Sequence, residues 1–383
     1  MIYLDYAATT PISDEALYVF GEASKKYFGN ASSLHEFGTE ANRVLNMCRK
    51  TWAHMINSEA DGIYFTSGGT EANQLAILSL VYGNQSRGKH IITTEAEHSS
   101  VYHLCKQLED EGFTVTFLPL IDDGQISLEQ LEQAIRPTTI LASIQFVNGE
   151  TGMIQPVEEI GKLLKQHGVI FHADCVQAFG NVDIDVRKYH IDALSIASHK
   201  IYGPKGTGLA YINPRVDWTP VVKNTTHENG FRPGTVDVPS ILAFTAAGQA
   251  AHRTLDERLE KMQELRTYFL TKLARVMHHD WTVYESKTAQ LPNIVALSFG
   301  KWEGQYIMLE CNKRGIAIST GSACQVGQQS PSRTILSLGK SVDEAKQLVR
   351  VSFGKMTTEE EIDKLVEAIM QIVNGNEQKT SER

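Results

Sequence analysis

In the segment SIASHKIYGPKGTG, residues 195–208, one lysine, Lys200, stands behind a histidine, between an apolar strand-like run and a glycine-rich loop. A lysine held on a rigid element with its amine aimed into a cleft meets the need of Schiff-base chemistry. The nucleophile there is the neutral amine, whose pKa the surroundings must lower. Four further segments offer complementary chemistry. Thr66-Ser67-Gly68-Gly69-Thr70-Glu71 has small residues that let the backbone approach a ligand, and the helix start that follows attracts an anion. Thr70 adds a hydroxyl. His98 follows a strand expected over 90–93, where a flat ring could stack on a planar group or move protons. Asn148 closes a strand expected over 139–146. Asp174 ends one expected over 169–173, with Gln177 three residues on. A carboxylate at a buried strand end needs a cationic partner, and a protonated heteroaromatic nitrogen is one. Taken singly, each has an ordinary structural explanation: a surface lysine, a helix start, an Asn-Gly turn, an N-cap.

Strands and helices must alternate to place them together. Strands are expected over 62–66, 90–93, 114–118, 139–146, 169–173, 191–197 and 209–212. Helices are expected over 13–20, 39–56, 71–82, 99–111, 127–135 and 156–166. Short apolar strands separated by helices mean a mostly parallel sheet covered on both faces. In such a sheet the C-terminal ends of the strands face one ligand crevice. An anion turn, a ring at His98, an amide at Asn148, an anion at Asp174 and an amine at Lys200 then converge. These are the needs of pyridoxal phosphate. A long helical stretch over 235–277 follows, then a second set: strands over 294–299, 317–320 and 348–353, and helices over 305–313, 342–346 and 359–373. That set reads as a smaller α/β domain, and the polar end from 374 as a frayed tail.

Composition narrows the classes further. The formal charge is −9, without a long basic run, so a nucleic-acid partner is not expected. The start MIYLDYAATTP lacks the basic and apolar regions of a signal peptide, and no apolar run reaches the ~20 residues of a membrane span. The five cysteines, Cys48, Cys105, Cys175, Cys311 and Cys324, are scattered, with no C-x-x-C pair. Neither a disulfide framework nor a metal site is expected, and the cytoplasm suits them best.

YLDYAATTP, GNASSLH, FTSGGTEANQLAI, EHSS, VNGETG, HADCVQ, SHKIYGPKGTG, FRPGT, STGSAC and VRVSFGKMTTEEEID run in order from residue 3 to about 363. Together they resemble the NifS/IscS-type cysteine desulfurases, pyridoxal-phosphate enzymes of the class V aminotransferase family. The resemblance implies the type I fold of these transferases: a large cofactor-binding domain over 15–255 with a seven-stranded, mostly parallel sheet, a small domain from 1–14 and 256–373, and a flexible tail over 374–383. It implies that Lys200 is the Schiff-base lysine, that Asp174 holds the pyridinium nitrogen, that Gln177 touches the ring hydroxyl and that His98 stacks on the ring. Gly69, Thr70, Ser198 and His199 would line the phosphate. Thr235 would reach the phosphate of the neighbouring subunit in a homodimer. Arg350 would clamp the substrate carboxylate, and Asn148 is a candidate at both cofactor and substrate.

Cys324 lies in TGSACQVGQ, small and polar without an apolar anchor, which predicts an exposed, mobile loop with an accessible thiol. By the resemblance its thiolate takes sulfur from L-cysteine, alanine leaves, and the persulfide passes to an acceptor protein for iron–sulfur assembly or for thiolation of tRNA or cofactors. Two alternatives stay open at this point. One is a selenocysteine lyase or another lyase or aminotransferase of the same fold. The other is a weakened paralogue acting as a sulfur-relay partner. Four positions depart from the family pattern: Gly149 stands where relatives carry a side chain, Ala197 where they carry a serine, Ala31 where proline is usual and Pro233 where serine is usual.

Overall fold

The computed structural model describes residues 1–277, 281–321 and 330–374. Its strands, in chain order, are β1 (Ile2–Tyr3), β2 (Ile63–Thr66), β3 (His90–Thr94), β4 (Thr114–Leu118), β5 (Thr139–Ser143), β6 (Ile170–Asp174), β7 (Ala193–Ala197), β8 (Gly208–Ile212), β9 (Trp281–Tyr284), β10 (Ile294–Phe299), β11 (Ile316–Ala317) and β12 (Val349–Ser352). The helices are α1 (Asp14–Lys26), α2 (Glu36–Met55), α3 (Gly69–Asn84), α4 (Ser99–Asp110), α5 (Leu128–Ala134), α6 (Val157–Gln166), α7 (Val238–Arg253), α8 (Leu255–Val276), α9 (Gly304–Lys313), α10 (Arg333–Ser337), α11 (Val342–Lys346) and α12 (Glu359–Asn374).

Seven strands form one sheet in the order β2-β8-β7-β6-β5-β3-β4. β4, β3, β5, β6 and β7 are mutually parallel, while β8 runs antiparallel between β2 and β7. β5 to β8 are buried at every position, as a sheet covered on both faces requires. Helix α6 shows how the cover is made. Its buried residues Val157, Ile160, Gly161 and Leu164 recur at helical spacing. Gly161 admits close packing, since a Cβ there would lie 1.8 Å from the Tyr189 carbonyl oxygen. On α2, Trp52 is fully buried against Phe179 and Phe244 and donates its Nε1–H to Thr245 Oγ1 at 3.1 Å. Truncating such a residue to alanine costs about 3–5 kcal/mol.

The remaining strands make a three-stranded antiparallel sheet, β12-β10-β9, and a parallel pair of β1 with β11. A separate apolar cluster gathers there, including Leu4, Phe269, Leu297, Val351 and Ile369. The N-terminal strand thus lies beside elements more than 300 residues away, with Asp5 bridged to Ser352. Among the described residues, no helix is long and apolar enough to cross a membrane, and no three His, Cys, Asp or Glu side chains are grouped to hold a metal.

The sequence expectations differ from the structure at a few boundaries. The strand expected over 139–146 stops at Ser143, and that expected over 317–320 is the two-residue β11. β9 and α10 were not expected. WTVY follows a charged helix and carries no clear alternation. The five-residue α10 is started by Ser332, whose Oγ accepts the Ile335 N–H at 3.1 Å.

Candidate active site

The site begins where β2 ends. Gly68 has φ = 151°, a conformation that glycine adopts readily. Helix α3 starts at Gly69 with no side-chain cap on its first N–H groups. An uncapped N-terminus beside small residues is an anion cradle. Its floor is tight. A Cβ at Gly208 would lie 2.6 Å from the Gly68 carbonyl carbon, and one at Gly69 would lie 3.3 Å from Ala197 Cβ. Thr70 is exposed at the rim. Glu71 fixes the turn by accepting the Ser67 N–H at 2.6 Å and pairing with Arg232 at 2.7 Å. Burial alone would raise the Glu71 carboxyl, but these two donors outweigh it and hold its pKa below the ordinary value.

Asp174 is the last residue of β6 and is 6 % exposed. Its Oδ1 accepts the Val176 N–H and its Oδ2 accepts an Asn73 Nδ2–H, at 2.9 and 2.8 Å. The other Nδ2 hydrogen of Asn73 goes to Ser100 Oγ at 3.0 Å, and Ser100 Oγ lies 2.8 Å from His98 Nδ1. The Ser100 N–H also points at Nδ1, at 3.2 Å. With two donors on it, Nδ1 is the unprotonated nitrogen. Asp174 and His98 are therefore tied through Asn73 and Ser100. The surrounding protein holds the His98 pKa below its ordinary value; Asp174 pulls it up, while Lys200 and Arg333 push it down. The ring is exposed on its open side. Sequence reasoning missed Asn73; the available signal was an amide in the otherwise apolar part of α3, where it is 1 % exposed.

Lys200 closes the short turn after β7. Its Nζ donates to the carbonyl oxygens of Ala7 and Ala8, the latter at 2.9 Å, and Gln177 Nε2 donates to the same Ala7 oxygen at 2.9 Å. The chain start is held in place by Thr10, whose N–H and Oγ1 both donate to the His199 carbonyl oxygen, at 2.8 and 3.0 Å. His199 Nδ1 lies 3.2 Å from Thr9 Oγ1. Burial, with the Lys200 and Lys205 charges, lowers the His199 pKa to about 4, so this ring is neutral.

Arg350, on β12, is 4 % exposed. Its Nη2 pairs with Asp5 Oδ1 at 2.8 Å and its Nη1 donates to the Gly149 carbonyl oxygen at 2.8 Å, while Nε is buried without a partner among the described residues. Asp5 was the second residue that sequence reasoning missed. Gly149 leaves room for Gln177, because a Cβ there would come within 3.2 Å of its Nε2.

Two expected ligand residues are placed differently. Asn148 is 1 % exposed. Its Nδ2 donates to the Ala96 oxygen and to Thr334 Oγ1, and its Oδ1 accepts from Glu150 N, Thr151 N and Thr151 Oγ1. Its amide holds the turn together and presents no free group to a ligand. Ser198 is fully buried with its Oγ enclosed beneath Gly203, where a Cβ would lie 2.2 Å away. Ala197, rather than Ser198, faces Gly69, so no serine hydroxyl of this segment faces the anion cradle. Thr235 is exposed, on a loop anchored by Glu228. That carboxylate accepts from Arg49 Nη2 and Nη1 at 2.6 and 2.9 Å and from the Phe65 N–H at 2.7 Å. Cys324 lies outside the described residues.

Cys48, Cys105, Cys175 and Cys311 are free and buried. Burial pushes Cys48 up to about 11, Cys105 and Cys311 up to about 12, and Cys175 well above its ordinary value. These are protonated, inert thiols.

The uncapped cradle at Gly69, the buried carboxylate of Asp174, the ring of His98 and the amine of Lys200 fit pyridoxal 5′-phosphate: an anion, a ring nitrogen, a ring face and an aldehyde. Comparison with known proteins agrees. The aminotransferase class-V family model matches residues 2–365. A NifS relative from Bacillus subtilis (strain 168) is 48 % identical over 96 % of this chain and 93 % of its own length. The cysteine desulfurase IscS of Clostridium botulinum (strain Kyoto) is 38 % identical over 97 % and 94 %. A solved NifS-like protein superposes with a TM-score of 0.90 at 30 % identity, covering 98 % of this chain and 99 % of that one. SspA in complex with cysteine superposes at 0.81 and 31 % identity, covering 92 % and 99 %. The chain belongs to the pyridoxal-phosphate-dependent class-V aminotransferase family, in its NifS/IscS group.

Proposed function

We propose that this protein is a homodimeric cysteine desulfurase that converts L-cysteine to L-alanine and carries the sulfur as a persulfide on Cys324. An acceptor protein then takes the sulfur for iron–sulfur cluster assembly or for thiolation of tRNA or cofactors. The observation that supports this most is the convergence of Lys200, Asp174 and His98 at one sheet edge, with Arg350 brought there from the second sheet. In this reading residues 15–255 bind the cofactor, while 1–14 and 256–373 carry Arg350 and the Cys324 segment. The cytoplasm, a reducing compartment, suits the four unbridged cysteines of the described residues.

Bound pyridoxal phosphate supplies an aldehyde for amines and a ring that accepts electrons. Gly69, Thr70 and the α3 N-terminus would hold its phosphate, and Thr235 would add a contact across the dimer. Asp174, fixed by Asn73 Nδ2–H and the Val176 N–H, would keep the ring nitrogen positive. Arg350 holds the substrate carboxylate in bidentate fashion, which suits arginine better than lysine. Lys200 Nζ removes the proton from the substrate Cα. His98, neutral at pH 7 because its pKa is lowered, is placed to accept the substrate thiol proton. The Cys324 thiolate attacks the substrate sulfur. An S–S bond forms, the C–S bond breaks with its electron pair left on the substrate carbon, and protonation there gives the methyl group of alanine.

The dimer has its own support. Leu17, Tyr18, Phe28, Leu34, Phe37 and Met47 form an exposed apolar set on α1, α2 and the loop between them, with Tyr18 72 % and Leu34 100 % exposed. A monomer rarely leaves such a set uncovered.

The test is to give purified holoenzyme L-cysteine or L-selenocysteine with a reducing thiol and to quantify alanine. Alanine and sulfide in equal amounts from L-cysteine support the proposal. Alanine from L-selenocysteine alone identifies a selenocysteine lyase instead, and alanine from neither leaves only the relay role.

A further inference from the structure

Arg333 is the first residue of α10. Its Nη2 donates to the Glu97 carbonyl oxygen at 3.0 Å, and its guanidinium carbon lies 4.2 Å from the centre of the Tyr102 ring. Both partners adjoin His98. Glu97 precedes it in the chain, and Tyr102, in the first turn of α4, donates its backbone N–H to the His98 carbonyl oxygen at 3.0 Å. The guanidinium thus grips the turn that carries His98 from two sides, and it does so from a fixed base. Ser332 donates its hydroxyl to the Glu150 carboxylate, and Thr334 Oγ1 accepts an Asn148 Nδ2–H at 3.0 Å. The Leu120 N–H is shared between Ser337 Oγ and the Ser337 carbonyl oxygen, at 3.0 and 3.2 Å. Helix α10 is therefore fastened to the Asn148–Glu150 turn and to the chain that follows β4.

A carbonyl oxygen and a ring face stabilise a guanidinium without neutralising it. The Glu97 carboxyl does not supply the missing counter-charge. Burial raises it to about 8, and its Oε1 accepts from Thr94 Oγ1 and from the Gln145 N–H, both at 2.9 Å, so it largely keeps its proton at pH 7. The positive charge of Arg333 therefore acts on His98, whose pKa it pushes down. The other groups acting on that ring are Asp174 at the end of β6, which pulls it up, and Lys200 in the turn after β7, which pushes it down; His199 in the same turn is neutral. We propose that Arg333 is a positioning residue for His98, fixing the turn on which the imidazole stands by holding the Glu97 carbonyl and the Tyr102 ring. Its charge also favours the neutral imidazole, the form that accepts a proton. The proposal rests on the reading of His98 as the acceptor of the substrate thiol proton.

The test compares Arg333→Gln, which keeps an N–H and loses the charge, with Arg333→Lys, which keeps the charge. In each holoenzyme His98 is titrated by histidine-detected NMR, and kcat and KM for alanine release from L-cysteine are followed across the same pH range. In Arg333→Gln the His98 titration should move to higher pH and carry the acid limb of kcat with it. Turnover at about pH 6 should then fall about 2–3-fold with KM little changed. Arg333→Lys should restore most of both. An arginine that merely packs α10 would lower the unfolding temperature of the variants and leave the His98 titration where it stands in the wild-type protein. That result overturns the proposal, as does an equal shift in Arg333→Lys. If Arg333→Gln folds poorly, Tyr102→Leu takes its place: it removes the ring beneath the guanidinium and should move the His98 titration the same way by less, and an unmoved titration there counts against the proposal equally. Wild-type protein that releases no alanine from L-cysteine would sink the proposed function, whereas the NMR titration reads the hold of Arg333 on His98 without any turnover.

Discussion

Around Asp174, Asn73 uses both of its amide hydrogens, one on the carboxylate and one on the serine that holds His98. Around Arg350, among the described residues, one N–H is buried without an acceptor, and Asp5 is an ionic partner at 2.8 Å. The ring side is thus set before any ligand arrives. On the side proposed for the substrate, the Arg350 guanidinium is paired with Asp5, just after β1, through the group that a substrate carboxylate would use. Preorganisation favours rate when it acts on the reacting ring, whereas a replaceable partner governs substrate affinity. Mutations on the two sides should therefore separate kcat from KM.

Lys200→Ala belongs to both sides and should have the largest effect. It should lower turnover by on the order of 10⁴-fold or more and abolish the visible absorbance of the lysine-bound cofactor, read by stopped-flow and absorption spectroscopy. Arg350→Lys should raise KM for L-cysteine by about 10–100-fold, the range of one charged hydrogen bond, with kcat largely kept. A fall in kcat at constant KM would erase the distinction between the two sides. Asn73→Ala should do the reverse, lowering kcat about 10-fold with KM little changed.

A smaller effect sharpens the ring side. His98 has a lowered pKa, so it is neutral above that value, and activity should fall only as pH drops through it, below the ordinary histidine range. Lys200 pushes this pKa down and Asp174 pulls it up. Histidine-detected NMR should therefore show His98 titrating higher in Lys200→Ala and lower in Asp174→Asn. The smallest expected effect concerns Glu97, next to His98 in sequence and fully buried. Burial, opposed by the Gln145 N–H and reinforced by Asp174, raises its carboxyl to about 8. An acid whose folded pKa lies above its unfolded value loses stability as pH rises between the two. Stability from this group should thus decline from the ordinary carboxyl range up to about pH 8 and level off above it. Glu97→Gln should flatten that slope in thermal unfolding measured across the same pH range.

Sequence reasoning reached the sheet and the strand-end residues because both follow local rules. Apolar runs bounded by small residues mark buried strands; Asp174 ends one and Lys200 closes the short turn after another. It reached less where the partner is distant in the chain. Asp5 meets Arg350 across 345 residues, and Asn73 meets Asp174 across 101. No spacing rule announces such pairs. Asn148 and Ser198 misled for the complementary reason. Their types suit a ligand, but the turn around each uses or encloses the polar group. At Ala197, expected to lack a hydroxyl, the methyl group faces Gly69.

The central claim is that Lys200 and its ring-side network make L-cysteine reactive while Cys324 receives the sulfur. Its most direct test is a thiol-free single turnover of holoenzyme with L-cysteine, followed by mass spectrometry of the peptide containing Cys324. The expected result is one added sulfur on Cys324 and one alanine per active site, with no added sulfur on Cys48, Cys105, Cys175 or Cys311. Full alanine production with Cys324 unmodified, or undiminished turnover in Cys324→Ala under the same conditions, would contradict it.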